Sequence, residues 1–406
     1  MPHTLPLSML SSRGVLSAAL HRVLRSGAAT VLVWATLVQA AAIVPLNDAQ
    51  IVETLPAGAA QRAAERRLRS EASGHGSAQA SDADGAAAQA RRLLEQARRE
   101  GEPRYAGQAL AVLQRWPDAA RAPDEILLMQ ATVQQYLHDF DTAAAGFERL
   151  LQRSPVNAQA WLSLATLRRV QGRYAESDLA CAQLARLGVD PHGAACLAEN
   201  AALRGHSAAA RQSLNRLLAQ PRLPDATRSW LLTTLAELEV RAGNSGAAQA
   251  AYEAALAAGG DEYTLLSHAD FLIENGRAAE ALTRLEGRPR SDAVLLRLAI
   301  AGRAAKSTQA QGDAAELRDR IAAAFERPDA RRAHLREQAM FSLWVDADAH
   351  AAVAQARSNL ARQREPVDVL LLARAARAAG DAAALREVRH IQGEMGLHDQ
   401  RLDTLP

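Results

Sequence analysis

The side chains that could do chemistry here are eleven histidines, two cysteines and 45 carboxylates. Two histidines three or four residues apart on one helix face would grip a metal such as zinc. No pair among the eleven has that spacing. His192, His206 and His268 stand in the middle of the chain and read as core or solvated residues. There is no HExxH, GxSxG, CxxC or phosphate-binding glycine loop. Gly74–Gln79 contains a GxG, but the third glycine and a preceding strand are missing. Carboxylates this numerous fall near one another by chance, so no acid–base pair stands out. These residues predict no catalytic site, no metal and no cofactor.

Cys181 and Cys196 are the only cysteines. The repeat register set out below puts them on adjacent helices of neighbouring hairpins. In an oxidising compartment a disulfide is geometrically allowed. The alternative is two small buried residues filling gaps. Neither has a basic group fixed beside it in sequence, as a reactive thiolate needs.

The elements that hold these groups must be helices. Of 406 residues, 93 are alanine, while aromatics are only 4%. Sheets want β-branched and aromatic residues, whereas alanine and leucine favour closely packed helices. The three arginines Arg13, Arg22 and Arg25 are the only charged residues before Asp48. Without residues 1–42 the chain carries 44 basic and 45 acidic residues, a net of −1. That balance excludes the basic footprint of a sequence-independent nucleic-acid binder.

Residues 1–42 read as an export signal: arginines, the apolar run Ala28–Ala42, then small residues. Cleavage after Ala40 or Ala42 is expected, with translation starting at Met1 or Met9. An uncleaved anchor is the other reading, since about 20 apolar residues span a bilayer. Either places the remainder outside the cytoplasm: in the periplasm, or anchored to the inner membrane and facing it. The membrane enters only through this segment. Residues 43–83 read as an arm and a flexible linker, with Ser70–Gly85 rich in Ser, Ala, Gly and Asp.

From residue 84 the chain repeats itself. In Ala158–Asp190, Trp161, Leu164 and Ala165 share one helix face, Gly172 stops the helix, and Tyr174, Ser177, Cys181 and Leu184 line the next helix. Asp124–Asn157 matches it through Leu127, Ala131, Phe140, Ala143, Phe147 and Pro155, with His138 where glycine is usual. Ala131 and Ala143 are expected to meet where the two helices cross. Further units begin near Pro191, Ser229, Glu262, Asp292, Arg332 and Pro366, and one precedes them at Ala87–Pro117. In the Asp292 unit Gly302 comes too early for the turn and Gly312 too late. Units of roughly 34 residues that cannot bury an apolar face alone must stack.

This pattern resembles the tetratricopeptide repeat. Gly101–Trp116, Ala160–Ser177, His334–Val345 and Gln363–Pro366 are similar to stretches in a group of exported bacterial tetratricopeptide proteins. The group brings no activity with it. The resemblance implies an all-α fold, a right-handed superhelical solenoid of about nine hairpins, whose first helices line a concave groove.

Applying that register puts Tyr136 and Leu128, Arg169 and Leu162, His192 and Glu199, Trp230, Glu237 and Arg241, and Tyr263, Asp270 and Glu274 on the groove. Arg332, Arg336, Trp344, Arg374 and Arg377 follow. The middle is acidic with aromatic anchors, and the flanks are basic. The expected function is a non-enzymatic scaffold or adaptor that holds a protein or peptide of the cell envelope there. A groove for an extended saccharide is the alternative. The bland reading is that these are ordinary solvated residues, with Trp230 and Tyr263 packed on a neighbouring helix.

Overall fold

The computed structural model describes residues 77–100, 103–325 and 334–404. The leader expected at 1–42, and all of the arm and linker before Ser77, lie outside the described residues. The described residues are helical, without a strand. They form successive helix pairs: α1 (Ser77–Glu100) and α2 (Arg104–Leu113), α3 (Asp124–Tyr136) and α4 (Phe140–Arg153), α5 (Ala158–Val170) and α6 (Tyr174–Arg186), and α7 (His192–Leu203) and α8 (Ser207–Leu218). Next come α9 (Asp225–Arg241) and α10 (Ser245–Ala257), α11 (Glu262–Glu274) and α12 (Ala278–Leu285), and α13 (Asp292–Ala304) and α14 (Ala310–Phe325). The last pairs are α15 (Leu335–Phe341) with α16 (Ala349–Leu360), and α17 (Pro366–Ala379) with α18 (Ala382–Met395), before a short α19 (Gln400–Asp403).

α1 begins inside the tract read as a linker. Ala83, Ala86, Ala87, Ala90, Leu94 and Ala97 are buried along it at helical spacing. Alanine alone supplies both the propensity and a packing stripe, which a polar-tract reading overlooks.

Hairpin three shows how each turn is made. The Asn157 side chain accepts from the Ala160 N–H at 3.0 Å and caps α5. Gly172 then adopts φ 74°. Its N–H reaches the Arg169 carbonyl at 2.9 Å, and the Arg173 N–H reaches Arg168 at 2.8 Å, closing the helix end. The same pair of bonds recurs with Gly205, Gly243, Gly276 and Gly380. His138 and Lys306 hold that left-handed position without glycine, at φ 61° and 56°. Neither Gly302 nor Gly312 makes the turn of the seventh hairpin, and Gly302 has a different task. A Cβ on it would lie 3.0 Å from that of Ala310, so it lets α13 and α14 approach. Likewise a Cβ on Gly146 would lie 2.9 Å from that of Ala131, so Gly146 lets α4 approach α3 closely. The eighth hairpin departs from the pattern: Ser342–Asp346 forms a π turn and Ala347 takes φ 57°.

From α3 to α15, each first helix packs on the first helix of the next hairpin as well as on its own partner. The first helices are therefore enclosed on most sides, and the second helices on one. α7 buries Gly193, Ala195, Cys196, Ala198, Glu199, Asn200, Ala202 and Leu203, while α8 buries only Ala210, Leu214 and Leu217. Cys181 on α6 and Cys196 on α7 form a disulfide, with Cα atoms 5.6 Å apart. It closes a loop of 15 residues, worth about 3 kcal/mol in the chain-entropy account.

The ninth hairpin does more than end the stack. Leu371, Met395 and Leu397 share one apolar cluster with Tyr174 and Leu203 from hairpins three and four. The Arg364 N–H donates to the Val170 carbonyl at 2.7 Å, and the His398 N–H to Leu203 at 2.8 Å. The array closes on itself.

Two substitutions test this geometry. Ala165 is fully buried between helices, so Ala165→Leu should cost about 1–3 kcal/mol and lower the melting temperature. Lys306 is exposed with φ 56°, so Lys306→Gly should raise stability by roughly 0.5–1 kcal/mol, read by chemical denaturation.

Candidate functional site

Most of the predicted groove residues lie on first helices, and several are paired across neighbouring hairpins. Arg169 of α5 meets Glu199 of α7 at 3.0 Å, and their side chains are only 11% and 9% exposed. On α9, Trp230 stacks on His192 with ring centroids 5.4 Å apart. One helix further, the Tyr263 hydroxyl donates to Glu237 at 2.5 Å. Ser267 donates to the same carboxylate at 3.3 Å and shares a hydrogen bond with the Tyr252 hydroxyl at 2.7 Å. Arg297 holds Asp270 through two bonds of 3.0 and 2.7 Å. Glu274 receives Arg374 at 2.8 Å and Arg401 at 3.0 Å, both from the last part of the chain.

Three predicted residues serve elsewhere. The Tyr136 hydroxyl donates to the Ala97 carbonyl at 3.1 Å and ties α3 to α1. Trp344 lies in the π turn and packs on the large apolar cluster. Arg336, read as a basic flank, is not presented at all. It is buried against Glu365 and Asp368, with Asp368 at 2.6 Å, and Asn359 donates to the same carboxylate at 2.7 Å. A short helix between two packed neighbours hides a side chain that register alone would leave outside.

The electrostatics follow from enclosure. Burial raises the Tyr263 hydroxyl well above its usual range, and the Glu237 carboxylate raises it further. Burial does the same to Tyr174, against the opposing pull of Arg241 and Arg169. For Glu274, burial pushes the carboxyl up, but Arg401 and Arg374 outweigh it and hold the group below the usual glutamate range. Burial pushes His268 down to about 4, where it stays neutral at pH 7 between Tyr252 and Phe271.

Several polar atoms on α6, α7 and α9 have no hydrogen-bond partner within the protein. They are Glu199 Oε2, the Tyr174 hydroxyl, Arg241 Nε and Nη2, His192 Nδ1 and Trp230 Nε1. Such groups cost about 1–3 kcal/mol each when left bare, so they ask for a polar ligand or water. Tyr174 was read from sequence only as a packing residue of the second helix; its place at a repeat's usual tyrosine position gave no sign of the hydroxyl's environment. Arg297 and Arg401 carried no signal, because their partners come from other hairpins. Among the described residues, no three His, Cys, Asp or Glu side chains are placed to hold a metal ion. Also among them, no helix is long and apolar enough to cross a membrane.

No protein-family model matches the chain. A curated relative, the "Putative cellulose synthase operon protein C" of Escherichia coli O157:H7, is 28% identical over 211 residues. The match covers 50% of this chain, and the chain spans only 18% of the relative's length. A tetratricopeptide repeat protein from Parabacteroides merdae is 16% identical, with a TM-score of 0.35, over 62% of this chain and 98% of that one. Human IFIT1, solved as a dimer with m7Gppp-AAAA, is 14% identical, with a TM-score of 0.43, over 78% and 80% of the two chains. The hairpins described above stack as an all-α solenoid.

The paired carboxylate makes a pH prediction. A glutamate held below its free value adds stability that is present above the unfolded pKa, about 4.3, and lost as pH falls. Glu274→Gln should therefore lower stability at pH 7 and flatten the loss between about pH 5 and 3, followed by urea unfolding across that range.

Proposed function

We propose that the chain is an exported, non-enzymatic scaffold that binds a protein or peptide of the bacterial cell envelope along its inner face. The observation that carries this reading is the set of buried, unpartnered polar atoms on α6, α7 and α9. Proteins rarely keep bare donors and acceptors together without a use for them. Arg241 is the sharpest case, because this half-buried side chain keeps two guanidinium nitrogens away from solvent without a partner. The disulfide and the leader-like composition of residues 1–42 support export to the periplasm. The fold itself supports an interaction role, since stacked hairpins build extended binding surfaces.

A second reading, an extended saccharide on the same face, is favoured by the Trp230–His192 stack, whose Trp230 Nε1 and His192 Nδ1 are unpartnered. The name of the Escherichia coli relative, which refers to a cellulose synthase operon, is in keeping with a polymer ligand.

In-cell crosslinking with mass spectrometry separates the readings. Arg241→Met removes the unpaired charge, so melting should stay level or rise, while a captured protein partner should be lost. A partner retained at full yield by Arg241→Met would remove the inner face from the proposal. Capture of saccharide alone, abolished by Trp230→Ala, would favour the second reading.

A further inference from the structure

We propose that Arg241 keeps an empty carboxylate fork, and that the segment bound on the inner face inserts a glutamate side chain there, held also by Tyr174 and Glu199. This rests on the inner-face reading and adds the chemistry of its ligand.

Five arginines of this chain present the Nε–Nη2 edge of the guanidinium to both oxygens of one carboxylate. Arg297 does so to Asp270 at 3.0 and 2.7 Å, Arg336 to Asp368 at 2.6 and 2.8 Å, and Arg401 to Asp399 at 3.0 and 2.7 Å. Arg277 does so to Glu280 at 2.7 and 2.6 Å, and Arg211 to Glu239. The edge suits this task because its two N–H groups run parallel and are spaced as carboxylate oxygens are. In Arg241 the same two nitrogens lie out of solvent and have no partner. Its own helix does not fill them. Glu237, one turn earlier, accepts from Tyr263 and Ser267 instead. No described residue supplies the carboxylate that this edge takes everywhere else.

Two further bare atoms belong to the same neighbourhood. The Tyr174 hydroxyl, at the start of α6, is buried and unpartnered. Burial raises its pKa, and the charge that opposes burial most is Arg241. Glu199 and Glu365, the anions that also act on this hydroxyl, are already paired with Arg169 and Arg336. An incoming carboxylate therefore meets an unbalanced cation and a hydroxyl ready to donate. Glu199 Oε2 is buried and bare, while its other oxygen faces Arg169 at 3.0 Å. That acceptor suits a donor standing beside the carboxylate, which a peptide supplies as its backbone N–H.

Access selects the carrier of the carboxylate. Arg241 is the last residue of α9, is half-buried, and is followed by the exposed residues 243–247. The fork thus lies beneath the surface and beside Tyr174, which shares an apolar cluster with Leu203. A glutamate reaches a recessed fork on a slim methylene stem that can lie against such a wall. A uronate carries its carboxylate directly on a bulky, hydroxylated ring. The recess favours the peptide.

The test uses the full chain with isotope-labelled arginine. The Arg241 Nε–H signal in the nuclear magnetic resonance spectrum is identified by its loss in Arg241→Met. The probe is an alanine pentapeptide with a central glutamate and blocked ends. It should shift the Arg241 signal and bind about tenfold or more tighter than the same peptide with glutamine. Arg241→Lys keeps the charge without the fork and should weaken binding about tenfold or more. Tyr174→Phe should weaken it about threefold or more. Circular dichroism checks that each variant folds. An Arg241 signal that the glutamate peptide leaves unmoved, or equal binding of the two peptides, would overturn the proposal. So would an oligoglucuronate that binds more tightly than the glutamate peptide, because the carrier would then be an acidic saccharide. The inner-face reading fails by a separate result, a protein partner still captured in cells by Arg241→Met, whatever the peptide does.

Discussion

The structure depends on how closely its helices can approach. A Cβ on Gly193 would sit 2.6 Å from the Ala185 nitrogen, so α6 and α7 touch almost backbone to backbone. Gly146 against Ala131 and Gly302 against Ala310 repeat the arrangement in other hairpins. Only methyl-sized side chains and glycine allow such contacts, which explains why alanine dominates the composition. Once helices are this close, whatever lies between them is cut off from water. The enclosed polar residues therefore pair across hairpins: Arg169 with Glu199, Arg297 with Asp270, Arg211 with the nearly inaccessible Glu239. Burying paired charges is neutral at best for stability, so these pairs are better understood as setting register between neighbours.

The hairpins were legible in the sequence because each one repeats a local rule. Gly172, Gly205, Gly243, Gly276 and Gly380 mark five turns by residue type alone. His138 was readable as an exception, since one residue in a strong pattern can adopt the conformation the pattern demands. The register also put Arg169, Glu199, Glu237, Tyr263, Asp270 and Glu274 on first helices, where they stand. What it could not supply was their partners. The register treats each hairpin separately, whereas Glu274 is satisfied by Arg374 and Arg401, three to four hairpins away. The helix at Ser77 was missed because its stripe is made of alanine, which pattern reading cannot tell from low complexity.

Two kinds of surface meet in these hairpins. The first helices present side chains and carry unmatched donors and acceptors. The turns that follow them are made of backbone, helix ends and left-handed glycines. A side-chain surface diverges readily with sequence, while a surface of carbonyls is set by the fold.

Closure also alters how such a chain unfolds. A simple stack of hairpins is nearly one-dimensional: contacts are local, and repeats can melt from either end. Here Arg401 and Glu274 meet across 127 residues of chain. Contacts of that separation raise the contact order and tie early hairpins to the last one, which favours slower folding and a more concerted transition. Fraying at the C-terminus would not stay at the C-terminus. It would release the ends of α5 and α7 together, so the final turn of the polypeptide acts as a clasp on the middle of the array.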